Sequence, residues 1–181
     1  MIIGITGETG SGKNIFCQKV KEQKLSVEII SSSVILREAL KNFIPDDNIT
    51  KEDLQWMALV LFNRFGTDVL SKAIKKRMLE SQAEIVIFDG VRMLPDYEMV
   101  KELGGKIVYI TADSKTRWEK VQARGEKKDD KSTYAEFLKR EQAGTETSIP
   151  EIGKKADFKI ENDGTLEEFY AKIEEIIKQI S

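Results

Sequence analysis

The chain has 181 residues, 33% of them charged, with a formal net charge of −2, one cysteine and no histidine. That balance excludes the global basic field of a non-specific nucleic-acid binder, and the composition excludes imidazole acid–base catalysis, an internal disulfide and a cysteine-cluster metal site. No run approaches the ~18–20 apolar residues of a membrane span, and the N-terminus lacks the basic start of a signal peptide. A cytoplasmic protein with a single domain over residues 1–181 is expected.

In chain order, the apolar run Ile2–Thr6 reads as a strand. It leads into Gly7-Glu8-Thr9-Gly10-Ser11-Gly12-Lys13-Asn14, which fits the phosphate-loop pattern G-x-x-x-x-G-K-[S/T] except at its last position. A helical pattern over Lys13–Glu22 completes the strand–loop–helix setting that the motif needs. The glycines let backbone N–H groups turn inward on a polyphosphate, the helix start adds its dipole, and Lys13 supplies a mobile charge. ATP is therefore the expected cofactor, held by Gly7, Thr9, Gly10, Ser11, Gly12, Lys13, Asn14 and Ile15. Asn14 stands where a hydroxyl normally meets Mg²⁺. Its carboxamide oxygen can still serve a hard cation, directly or through water; the alternative is a helix-start residue with no metal role. Cys17, within this helix, reads as a small buried residue.

The second strand, Val27–Ile30, is followed by the serines Ser31, Ser32 and Ser33 as a helix cap, with Arg37 on the turns beyond. Thr50 and Asp53 resemble an N-cap signal, with Asp in place of Glu or Gln. They open a helical region from Lys51 to Ser81 that Gly66 breaks. Along it Trp56, Met57, Leu61, Phe62 and Phe65 are expected in the core, and no exposed apolar interaction surface is evident.

The third strand, Ile85–Asp89, ends in an acid followed by Gly90 and Arg92. An aspartate at the carboxyl end of a buried strand is where a phosphate-loop protein holds Mg²⁺, and that edge of an open α/β sheet is its ligand crevice. A plain Asp-Gly turn beside a surface arginine is the other reading. Ile107–Thr111 reads as the fourth strand, and Gly125–Ser132 as a solvated, mobile loop. After the fifth strand, Phe158–Glu161, the segment Asp163-Gly164-Thr165 caps a helix whose apolar stripe runs from Leu166 through Phe169, Ile173 and Ile177 to Ile180. Strands apolar along their whole length suit a parallel sheet covered on both faces. The fold class is therefore α/β, a three-layer α/β/α domain with a five-stranded parallel sheet.

Taken together, these segments resemble the phosphate-loop nucleoside monophosphate kinases, including adenylate kinases, with relatives among dephospho-coenzyme A kinases and phage-type deoxynucleotide kinases. Ser31–Arg37 is similar to the family's Ser-Thr-Gly-Asp-x-Leu-Arg run, with Ser33 and Val34 replacing its Gly and Asp. Asp89-Gly90-Val91-Arg92 is similar to its Asp-Gly-[Phe/Tyr]-Pro-Arg segment, one residue shorter. Arg124-Gly125-Glu126 through Asp129-Asp130 resembles a shortened lid, and Arg140 matches that region's second arginine. Ala156–Glu168 resembles the closing strand and helix of dephospho-coenzyme A kinases.

The resemblance implies a P-loop kinase fold with a helical acceptor-binding insert over about residues 32–80 and a short lid at about 125–131. It also implies ATP- and Mg²⁺-dependent phosphoryl transfer to a small phosphorylated acceptor. A nucleoside or deoxynucleoside monophosphate leads, and dephospho-coenzyme A is the alternative. Lys13, Asp89, Arg124 and Arg140 are then the catalytic candidates, with Asn14 and Asp89 on the metal and Lys128 assisting at the lid. Ser32, Arg37 and Arg92 would hold the acceptor, Gln55 its base or sugar, and Arg64 its phosphate. The bland reading of Gln55 and Arg64, two solvent-facing helix residues, stands beside this. So does a nucleotide-binding regulatory protein acting through a partner. No nucleic acid or membrane partner is expected.

Overall fold

The computed structural model describes residues 1–24, 26–125, 132–142 and 144–180. Its strands are β1 (Ile2–Thr6), β2 (Val27–Ile30), β3 (Ile85–Asp89), β4 (Lys106–Thr111) and β5 (Phe158–Glu161). They lie in the order β2-β3-β1-β4-β5, and every neighbouring pair is parallel. The helices are α1 (Lys13–Gln23), α2 (Ser32–Leu40), α3 (Lys51–Phe65), α4 (Val69–Glu80), α5 (Leu94–Glu102), α6 (Ser114–Arg124), α7 (Tyr134–Glu141), α8 (Ile149–Lys154) and α9 (Leu166–Ile180). The architecture is the expected α/β sheet with helices on both faces.

Strand periodicity assigns the faces. Ile3, Ile5, Ile85, Ile87, Val108 and Ile110 pack against Phe16 and Val20 of α1 and Phe169 and Ile173 of α9. The alternate positions Val86, Phe88 and Ile107 turn to Ile74 and Met78 of α4, Val100 of α5 and Ile152 of α8. Because both faces are covered, the strands need apolar residues at successive positions, which is why they read as unbroken runs.

A smaller core, Leu36, Ile49, Leu54 and Leu70, ties α2, α3 and α4 into a helical layer. Helix α3 starts at a capping box in which the Thr50 hydroxyl accepts from Asp53 N–H and the Asp53 carboxylate accepts from Thr50 N–H. It ends at Gly66, whose φ of 94° and N–H bond to the Phe62 carbonyl close the last turn. One expectation fails in this layer. Met57, Leu61 and Phe62 do pack on the small core, but Trp56 and Phe65 are each 63% exposed. Helix α3 packs chiefly on α2 and α4, so its opposite side faces solvent.

The site is positioned by topology. β1 leads through its loop to α1 on one face, while β3 leads to α5 on the other. Neighbouring strands whose connections diverge leave a crevice at the carboxyl edge of the sheet. Parallel pairing sets Ile5 beside Asp89, so the acid lies next to the base of the phosphate loop. Among the described residues no helix is long and apolar enough to cross a membrane.

Candidate functional site

The loop from Gly7 to Gly12 wraps the start of α1. Gly10 and Gly12 adopt φ of 83° and 108°, in the region that favours glycine. A Cβ on Gly10 would stand 2.6 Å from the Arg117 carbonyl, and one on Gly12 2.7 Å from Asn162 Nδ2. Gly12 is the residue before the helix, so the N–H groups of Lys13, Asn14 and Ile15 are left at an uncapped helix start, where an anion belongs. Lys13 Nζ curls back over the loop and donates to the carbonyls of Gly7 (2.7 Å) and Glu8 (2.9 Å). Burial pushes the Lys13 ammonium below its usual pKa; the Asp89 charge opposes that shift and Arg92 adds to it. Half-buried, with the Asp89, Glu146 and Glu8 carboxylates around it and two backbone carbonyls on its ammonium, Lys13 is placed to meet phosphate.

Asp89 closes β3 at the same edge, half-buried, its carboxylate in no hydrogen bond among the described residues. Asn14 is exposed and likewise unbonded at its side chain. The turn beyond Asp89 is fixed by backbone: Gly90 and Val91 N–H both donate to the Ile5 carbonyl. Buried Asp96 then accepts from the N–H groups of Arg92 and Met93 and from the Ser71 hydroxyl at 2.6 Å. That carboxylate locks the start of α5 to α4 and aims Arg92 across the crevice, where its Nη1 meets Glu146 Oε1 at 2.9 Å.

The remaining expected residues separate. Ser32 opens α2, with Ser31 as the cap accepting from Val34 N–H. Arg37 donates to the Asp46 carbonyl and carboxylate at 3.2 Å and to the Ile49 carbonyl at 3.3 Å, which fastens it to the segment between α2 and α3. Gln55 and Arg64 lie on the exposed side of α3. Arg124 ends α6, and Arg140 on α7 bonds the Ser132 hydroxyl. Lys128 and nearly all of the lid at 125–131 lie outside the described residues. Cys17 is buried beneath the site, and burial pushes its thiol far up, so it stays protonated.

Four contacts at the loop escaped the sequence reading. Glu8 Oε1 accepts from the Tyr109 hydroxyl at 2.5 Å, while Oε2 is buried with no partner among the described residues; burial and that carboxylate push Tyr109 up to about 12. Buried Arg117 donates to the carbonyls of Thr9 (3.2 Å) and Ala112 (2.9 Å) and forms a two-pronged ion pair with Glu141 of α7. Buried Asn162, past β5, donates to the Ser11 carbonyl at 2.9 Å. Glu146 adds a negative charge near Lys13. None of these contacts is set by a local motif. Each partner is distant in sequence and meets the loop only through folding.

The comparisons agree with this fold. Residues 3–144 match the AAA domain family AAA_18. A UPF0200 protein of Sulfurisphaera tokodaii is 33% identical over 183 residues, covering 99% of this chain and 97% of its own. Among solved structures, TT1252 from Thermus thermophilus superposes with a TM-score of 0.65 at 19% identity, covering 100% of this chain and 98% of that one. A shikimate kinase from Bacteroides thetaiotaomicron gives 0.64 at 15% identity over 99% and 97% of the two chains. The fold is that of the P-loop kinases, and the chain belongs to the UPF0200 proteins of the AAA_18 family.

Proposed function

We propose that this single domain is an ATP-dependent phosphotransferase acting on a small phosphorylated acceptor, a nucleoside or deoxynucleoside monophosphate first. The observation that carries the reading is the pairing of a phosphate loop around half-buried Lys13 with Asp89 at the adjoining strand end. In phosphoryl transfer the protein positions reactants and neutralises charge, and no histidine is required. The free N–H groups at the start of α1 receive the phosphates, and Lys13 exchanges its two carbonyls for phosphate oxygens. Asp89 and Asn14 offer unengaged oxygens suited to Mg²⁺, which takes one or two protein ligands and completes its shell with phosphates and water. A magnesium ion held there supplies charge neutralisation at the transferred group.

Arg92, already seated on a carboxylate, would take the acceptor's phosphate in place of Glu146. Ser32 stands at the start of α2 and Arg37 in its last turn, and Arg37 must leave Asp46 to take part. Arg124 and Arg140 flank the lid and would close over the transferred phosphoryl, excluding water.

A second reading rests on Glu8. Its buried oxygen, without a partner among the described residues, suits a hydroxyl-bearing acceptor, such as dephospho-coenzyme A, with Asp89 as the base for the attacking hydroxyl. The test is ADP release and acceptor phosphorylation with Mg-ATP and a panel of ribo- and deoxynucleoside monophosphates, dephospho-coenzyme A and shikimate. Rapid transfer to one acceptor, lost in Lys13→Ala, supports the kinase. Tight ATP binding without transfer to any acceptor replaces it with a nucleotide-dependent regulatory protein.

A further inference from the structure

Helix α3 presents an apolar stripe to solvent. Trp56, Leu59 and Val60 are 63%, 59% and 45% exposed, and Phe43, just past α2, is 80% exposed. Trp56 and Val60 also line, with Leu40, Phe43 and Ile44, an apolar groove of about 390 Å³. The groove is separate from the phosphate crevice. Helix α2 starts directly after β2, at the carboxyl edge of the sheet, and Leu40 and Phe43 stand at or beyond its other end, ~12 Å away along the axis. Taking ~200 Å² for a whole aromatic side chain, the four exposed residues offer on the order of 500 Å². That is much of the ~800 Å² each side of a standard interface buries, and the polar side chains Glu52, Gln55, Asn63 and Arg64 edge it as a rim.

The charges identify the occupant. Glu52 and Arg64 stand at opposite ends of the stripe, and neither makes an ion pair or side-chain hydrogen bond among the described residues. An anionic lipid surface calls for a basic rim, whereas this rim carries one acid and one base. They are equidistant in sequence from Ala58, ~18 Å apart along the helix. We infer that α3 packs antiparallel against α3 of a second copy of this chain, about a twofold axis that crosses the exposed stripe at the level of Ala58. The twofold brings Glu52 of each copy to the Arg64 end of the other and sets Trp56 of one against Val60 of the other. Such an interface is self-complementary and closes at two subunits.

Sedimentation velocity of the full chain at tens of micromolar, with circular dichroism as the folding control, tests this. The wild type sediments as a dimer, and Trp56→Glu, which stays folded because the position is exposed, sediments as a monomer. Glu52→Arg and Arg64→Glu each weaken the dimer about tenfold, since each replaces two attractions by two repulsions. The double variant carrying both changes regains wild-type affinity to within about threefold. A monomeric wild type, a dimer indifferent to Trp56→Glu, or a charge swap without rescue overturns the inference. So does a monomer that instead binds anionic phosphatidylserine vesicles through Trp56.

Discussion

The two ends of α2 border two differently built regions. Its start is at the carboxyl edge of the sheet, where the phosphate loop is braced from several sides: Asn162 on Ser11, Arg117 on Thr9, Tyr109 on Glu8, and α6 against Gly10. At its far end lies the α2–α3 layer, held on a small core of Leu36, Ile49, Leu54 and Leu70 with partly buried neighbours such as Met57, Leu61 and Phe62, and open on one side. Backbone dipoles bind an anion well only when folding has already aimed them, so the loop is tied by long-range contacts. The helical layer needs only enough packing to stay attached, and keeps its outer face for a partner.

The largest effect expected is at the braced end. Lys13→Ala lowers phosphoryl transfer roughly 10²–10³-fold, the loss typical of one removed charge-stabilising donor, read as ADP release with the preferred acceptor. An unchanged rate would move the chemistry away from this loop. Next comes a contrast within α3: buried Leu54→Ala costs about 2–5 kcal/mol of unfolding free energy, against ~0.5 kcal/mol or less for exposed Leu59→Ala in dilute monomer. Urea midpoints measure both, and equal costs would erase the distinction between the two sides of the helix.

Gly12→Ala places a Cβ at a φ of 108° and against Asn162. It costs about 1–3 kcal/mol, roughly 2–4 °C of Tm for each kcal/mol in a chain of this length, and weakens ATP binding by distorting the loop. If Tm and affinity both survive, the loop is less constrained than its contacts indicate.

The smallest effect is on pH. Burial holds Lys13 below its usual 10.5, so its charge is lost at lower pH than in a free lysine. ATP affinity therefore falls as pH rises toward 10.5, and Lys13→Arg removes that fall. Over the same window the stability of the unliganded fold rises, because the unfolded chain still binds a proton that the native state has released. Calorimetric titration of ATP and urea melts across the alkaline range check the two signs, and a fall in stability there would reverse the assignment.

Much of this was legible locally. The strands are short β-branched runs, and four of the five begin and end where the sequence places them; β4 begins one residue earlier, at Lys106. The Thr50–Asp53 cap and the Gly66 break are chemistry of neighbouring residues, so they too could be read. The meeting of Gly10, Gly12 and Lys13 with Asp89 at one sheet edge was legible because motif spacing places the first three and a strand end the last. Trp56 and Phe65 were misplaced because α3 is apolar around most of its circumference, and periodicity cannot say which side of such a helix meets the rest of the molecule. Arg117 and Glu146 carried no local signal, and Glu8 and Asn162, though inside segments already singled out, gave no sign of their long-range partners.

By itself, then, the sequence determined the elements, the parallel α/β class and the phosphate loop, because backbone preference, strand burial and motif spacing are properties of short segments. Only the tertiary structure decided which carboxylate faces Arg92, which side chains brace the loop, and that the outer side of α3 stays bare. Those outcomes depend on residues far apart in the chain, brought together by the order of strands in the sheet and the packing of helices upon it.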